Sequence, residues 1–127
     1  VSYPFGYGLS YTNFEYGEIE SLMENDTITI KLPISNTGKT AGKEVVQVYV
    51  EKLNSSIDRP VNELKAFAKT KRVQPSATDT ISLQIPVKEL RYWDEDKKDW
   101  NLEKGAYKIK VGASSRDIRQ TILEALE

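Results

Sequence analysis

The 127-residue chain contains neither cysteine nor histidine. Without cysteine there is no disulfide, no thiol nucleophile and no cysteine-bound metal. Without histidine there is no Ser-His-Asp triad, no histidine-ligated zinc and no imidazole pH switch. Charge of one sign is also lacking: 18 basic residues stand against 19 acidic ones, a net charge of -1. Nothing therefore directs the chain to nucleic acid or to an anionic membrane surface. The one basic cluster, Lys69-Thr70-Lys71-Arg72, reads as a solvated strand face. No apolar run approaches transmembrane length, and no signal-peptide pattern is present. The chain starts at Val1 and not at Met, which reads as a piece of something longer, and the terminal Leu126-Glu127 pair reads as a tag remnant. The absence of cysteine leaves the compartment open between secreted, periplasmic and cytoplasmic.

What is present is strand pattern. From Asp26 to Asn36 the apolar residues Ile28, Ile30, Leu32 and Ile34 alternate with Thr27, Thr29, Lys31, Pro33 and Ser35, the period-2 signature of a strand with one buried face. Pro33 cannot donate to a ladder, which predicts an exposed edge or a bulge at that point. Asn36 to Gly42 supplies turn chemistry. Glu44 to Glu51 crowds β-branched and aromatic residues, as a central strand covered on one face and partly on the other would. A weaker strand is expected over Leu64 to Val73, and Asp79 to Val87 alternates again. A short helical turn is expected over Val87 to Tyr92. A charged loop, Asp94 to Asp99, separates two tryptophans. Tyr107, Ile109 and Val111 mark a further strand. The segment Asp117 to Leu126 fits strand or helix spacing, and the surrounding β pattern favours strand. About seven short strands with Gly, Pro, Asn and Ser turns predict an all-β, immunoglobulin-like or fibronectin type III-like antiparallel β-sandwich. A chain of this length buries roughly two-thirds of its unfolded surface.

Candidate sites are few. Glycosidic hydrolysis needs two carboxylates facing each other at about 5 to 10 Å across a cleft, and no spacing among the 19 acidic residues singles out such a pair. The Asp94-Glu95-Asp96-Lys97-Lys98-Asp99 stretch has oxygen ligands for calcium but lacks the glycine and distal glutamate of an EF-hand, so it reads as a solvated hairpin tip. No cofactor site is expected. Trp93 and Trp100 are the candidates for contact with a sugar or with an interface, since amphipathic rings serve both purposes. At the other end, Tyr3, Phe5, Tyr7, Leu9 and Tyr11 form a row of apolar residues interrupted by Gly6 and Gly8. They pack either on the sandwich itself or on a surface outside it.

The string Pro4-Phe5-Gly6-Tyr7-Gly8-Leu9-Ser10-Tyr11-Thr12 resembles the stretch that leads from the second catalytic domain of family 3 glycoside hydrolases into their C-terminal fibronectin type III-like domain. Further matches recur in order. Asn36-Thr37-Gly38, Ala41-Gly42 and Glu44 to Val50 are similar to the N-T-G, A-G and E-V-V-Q-L-Y-V segments of that family. Arg59-Pro60, Glu63-Leu64-Lys65-Ala66-Phe67, Trp93-Asp94, Gly105-Ala106-Tyr107, Val111-Gly112 and Ser114 to Arg119 resemble its later motifs. Ala66 and Ser76 stand where the family usually has glycine. The resemblance implies a junction segment at 1–12, a fibronectin type III-like domain at 13–125 and a two-residue remnant at 126–127. It implies an interdomain surface made by Tyr3, Phe5, Tyr7, Leu9 and Tyr11, with the catalytic domains of the same polypeptide as partner. The motifs that carry the family's catalytic nucleophile and acid/base have no match here, so no residue is assigned a catalytic role.

Three functions are consistent with this reading. The first is a non-catalytic accessory domain of a β-glucosidase-like enzyme. The second is a stand-alone carbohydrate-binding module, and the third a protein-interaction domain of a surface protein. Fold alone does not choose between them.

Overall fold

The computed structural model describes residues 12–55 and 63–126. The junction residues Tyr3, Phe5, Tyr7, Leu9 and Tyr11, and the Arg59-Pro60 pair, lie outside the described residues. Ten strands run in the order β1 (Phe14–Tyr16), β2 (Glu20–Glu24), β3 (Thr27–Asn36), β4 (Val45–Lys52), β5 (Glu63–Lys69), β6 (Thr78–Pro86), β7 (Tyr92–Asp94), β8 (Asp99–Asn101), β9 (Gly105–Ser114) and β10 (Asp117–Leu126). A 3-10 turn, Val87–Leu90, follows β6 and buries Leu90. In the first sheet β3 is central, with β6 along one edge and β1 and β2 in succession along the other. The second sheet has the order β10-β9-β4-β5, and β7 and β8 form a separate hairpin. All pairings are antiparallel. This is the expected two-sheet sandwich.

The core follows from the alternation. Ile28, Ile30, Leu32 and Ile34 of β3 and Ile81, Leu83 and Ile85 of β6 face Val46, Val48 and Val50 of β4 and Tyr107, Ile109 and Val111 of β9. Each fully buried aliphatic side chain contributes roughly 1.5–3 kcal/mol. The segment from Val46 to Val50 is buried at every position, so β4 is covered on both faces.

Three local outcomes differ from the sequence reading. Pro33 is not in a bulge of its own strand: it pairs with Thr80 of β6 on one side and on the other faces the gap between β1, which pairs with Ile34 to Asn36, and β2, which pairs with Thr27 to Lys31. The break lies in the neighbour, between β1 and β2, where Gly17 donates to the Pro33 carbonyl at 2.9 Å. A Cβ on Gly17 would come within 2.4 Å of the Pro33 ring, so glycine is what lets the edge strand pass the proline. The strand expected to reach Val73 ends at Lys69, and Val73 pairs only with Gly42 in an isolated bridge. Leu126, set apart as a remnant in the sequence reading, is a buried residue of β10 paired with Gly105. The ambiguous Asp117–Leu126 segment is a strand.

Asn36, which the sequence assigns to a turn, ends β3 and is buried. Its amide nitrogen donates to the carbonyls of Thr40 at 2.8 Å and Val73 at 2.9 Å. Its amide oxygen accepts from the Gly38 N–H and the Thr12 hydroxyl, both at 2.9 Å. One side chain thus ties together the segments at the pole of the sandwich where the described chain begins.

Candidate interaction surfaces

Trp93 and Trp100 are directly opposite each other on β7 and β8. Their ring centroids are 5.6 Å apart at an interplanar angle of 79°, an edge-to-face pair. The rings are 45% and 53% exposed, so pairing leaves much of both indoles in solvent. The hairpin thus joins two residues that are seven positions apart in the sequence. The charged tip closes on itself. Asp94 accepts from the Asp96 and Lys97 N–H groups at 3.0 and 3.2 Å, and Lys98 takes a positive φ of 52°. Among the described residues no cluster of metal-ligating side chains occurs.

A second feature, missed in the sequence, ties β1 to the second sheet. The Tyr16 hydroxyl donates to the Glu44 carboxylate at 3.1 Å. The Arg119 guanidinium lies 5.1 Å from the centroid of the Tyr16 ring, donates to the Phe14 carbonyl at 2.7 Å and grips Asp117 at 2.7 and 2.9 Å. Gln120 donates to the Tyr16 carbonyl at 2.8 Å. Burial is the main reason the Glu44 carboxyl is held above its ordinary range, against the Tyr16 hydrogen bond and the Arg119 charge. Burial, then the Glu44 charge, push the Tyr16 phenol far up. The Arg119 hydrogen bonds hold Asp117 below the usual carboxylate range, and Asp117 in turn raises Arg119. The sequence signal was present in Ser114 to Arg119, but nothing in that string says that Arg119 reaches β1. This cluster is an inter-sheet clasp that joins β1 to the Glu44 and β10 segments of the second sheet.

The two outer sheet faces differ. On the first sheet, Thr29 pairs with Gln84, Lys31 with Ser82, Pro33 with Thr80 and Ser35 with Thr78. The Ser35 and Thr78 hydroxyls hydrogen bond at 2.8 Å. On the second sheet, Gln47 pairs with Phe67 and Tyr49 with Leu64, and residues opposite each other share a face. Gln47 and Tyr49 are buried, and the Tyr49 hydroxyl donates to the Gln47 amide oxygen. Phe67 above them is 71% exposed.

Comparison with known proteins fits this architecture. Residues 44–115 match the family described as fibronectin type III-like domain. A β-glucosidase of Kluyveromyces marxianus is 44% identical over 93% of this chain, but that stretch is 14% of the yeast protein. An exo-alpha-(1->6)-L-arabinopyranosidase of Bifidobacterium longum is 39% identical over 100% of this chain and 17% of its own length. The structure of β-glucosidase 3B from Thermotoga neapolitana in complex with alpha-D-glucose superposes with a TM-score of 0.87 at 42% identity, over 98% of this chain and 17% of that one. The chain therefore spans about one-sixth of these relatives, and it belongs to the fibronectin type III-like domain family in the form carried by β-glucosidases and similar glycosidases.

Proposed function

We propose that the chain is the non-catalytic accessory domain of a family 3 glycoside hydrolase of β-glucosidase type, and that it packs on and stabilises the catalytic domains of the same polypeptide. The observation that carries this reading is the mismatch of coverage: 93% of this chain aligns with only 14% of a β-glucosidase. The similar segment in an arabinopyranosidase, at 39% identity, supports a role that does not select the sugar. Tyr3, Phe5, Tyr7, Leu9 and Tyr11 serve in this reading as the junction with the catalytic part. The test compares the intact polypeptide with one lacking residues 1–127. Deletion is expected to lower thermal stability and aryl β-glucoside hydrolysis together, while the 127-residue chain alone turns over nothing. Unchanged stability on deletion would reject the reading.

A second reading, contact with carbohydrate, is favoured only by the half-exposed Trp93–Trp100 pair. Titration calorimetry of the chain with glucans and xylans decides it. A dissociation constant below about 100 μM, near -5.5 kcal/mol, abolished by Trp93→Ala or Trp100→Ala, would establish a binding platform.

A further inference from the structure

We infer that the corner Asn36-Thr37-Gly38 locks Thr12 and Asn13 to the sandwich, so that this domain joins the rest of its polypeptide through a stiff joint and not a hinge; the inference rests on the accessory-domain reading above and adds the residues that set the joint. The first argument is steric. Gly38 has no positive φ, unlike Gly105, so its own backbone does not call for glycine. Its neighbours do. A Cβ at Gly38 would overlap the Thr12 hydroxyl oxygen and stand 2.9 Å from the Asn13 nitrogen and 3.0 Å from the Thr12 Cβ. The corner therefore has glycine because residues 12–13 lie against it, not because the chain turns there.

The second argument is the set of hydrogen bonds. The Thr12 hydroxyl donates to the Asn36 amide oxygen at 2.9 Å, and the Thr37 N–H donates to the Asn13 carbonyl at 2.9 Å. The acceptor on Asn36 cannot swing away. Its side chain is buried, its nitrogen is committed to the Thr40 and Val73 carbonyls, and its oxygen also receives the Gly38 N–H. Turned over, the amide would aim its oxygen at two carbonyls and its nitrogen at an N–H, so one orientation is allowed. The hold then continues along the chain. Phe14 pairs with Asn36, Glu15 with Ser35 and Tyr16 with Ile34. Arg119 and Gln120 donate to the Phe14 and Tyr16 carbonyls.

The consequence concerns orientation. Domains of one chain that share a modest interface move relative to each other by default. A hinge needs a few residues free to absorb changes in φ and ψ, and a flexible linker is a run of unheld Gly and Ser. Residues 12–16, Thr-Asn-Phe-Glu-Tyr, contain neither glycine nor serine, and each is tied to the sandwich. Rotation is thus blocked where the chain reaches the first sheet, and the corner fixes the direction from which it arrives.

Amide exchange in the 127-residue chain reads the lock, because the Thr37 N–H bonds to Asn13. Gly38→Ala is expected to speed Thr37 exchange about tenfold or more while the β3–β6 ladder keeps its protection. Thr12→Val, which removes the hydroxyl and adds no bulk, should speed it less. Thr12→Ala placed in the Gly38→Ala background should restore part of the protection, because it removes the oxygen that the new Cβ overlaps. A turn that needed glycine for its own backbone would not respond to that second change. In the intact polypeptide, Gly38→Ala should enlarge the radius of gyration measured by small-angle X-ray scattering. Unchanged Thr37 exchange in either single variant overturns the inference, as does a rise shared equally by the β3–β6 ladder or a failure of the rescue. Freed Thr37 with unchanged scattering overturns the stiff joint. If Gly38→Ala does not fold, Thr12→Val carries both readouts. Loss of stability on deleting the whole domain tests the accessory reading separately, so unchanged scattering together with that loss rejects only the joint.

Discussion

Ile30 and Leu83 are cross-strand partners at the centre of the first sheet, 0% and 4% exposed. Replacing either with Ala removes buried methyl groups and leaves a cavity, at an expected cost of about 2–5 kcal/mol. Because the two touch the same space, the double variant should be less destabilised than the two single effects added together. Denaturant midpoints of the three variants check both statements. Asn36 was legible only as a turn residue, yet its four hydrogen bonds make it a core polar hub. Asn36→Ala strips partners from buried backbone groups, each worth about 1–3 kcal/mol when left unsatisfied. Asn36→Asp adds a carboxylate oxygen aimed at the Thr40 and Val73 carbonyls. Both should unfold at lower denaturant, and the Asp variant should recover part of its loss as its carboxyl protonates in acid.

At the scale of elements, β1 is the weakest joint. It has three residues and pairs only with the end of β3. Beyond the buried Phe14 and Tyr16 rings and the Tyr16–Glu44 hydrogen bond, it is held by the clasp from Arg119 and Gln120 of β10, through the Phe14 and Tyr16 carbonyls. Arg119→Ala should therefore raise hydrogen exchange in β1 while the β3–β6 ladder keeps its protection. The clasp also has a pH signature with two opposite signs. Burial raises Glu44 in the folded state, so its protonated form favours folding, and that contribution is lost as pH rises through its folded value. Asp117 is lowered, so its contribution is present above its unfolded value and is lost as pH falls through the folded one. Glu44→Gln should accordingly be more stable than the parent at neutral pH and converge with it below about pH 4. Asp117→Asn should be less stable at neutral pH and converge in stronger acid. Urea midpoints measured from pH 2 to 8 distinguish these curves from a uniform loss of packing.

For the whole molecule, the accessory reading places stability in the union of this domain with its parent. Replacing Phe5 and Tyr7 with Ser should lower the thermal midpoint of the intact polypeptide more than that of the 127-residue chain if, as that reading has it, the junction segment contributes surface between domains. Equal losses in both would assign those rings to the sandwich's own core. The isolated chain should hydrolyse no aryl glycoside. Turnover that survives repurification and disappears with one acidic substitution would reject the accessory role.

The sequence by itself determined the class of fold and most of its strands. The alternation at 28–34 and 81–87 specifies which face of each strand leaves water, and that choice is local and energetically large. It also determined the family, because motifs from Pro4 to Arg119 keep their order. Only tertiary structure decided the features that depend on non-local partners. The fate of Pro33 was set by Gly17, a residue in the break between the neighbouring strands β1 and β2. Asn36 became a hub because Val73, 37 positions away, needed a donor. Arg119 reaches a carbonyl 105 positions upstream, and Trp93 meets Trp100 only because the charged segment between them turns back. Phe67 looks like any strand residue in the sequence; its exposure follows from which face of β5 the register with β4 turns outward. Periodicity records which side of a strand is buried, but not what lies across from it.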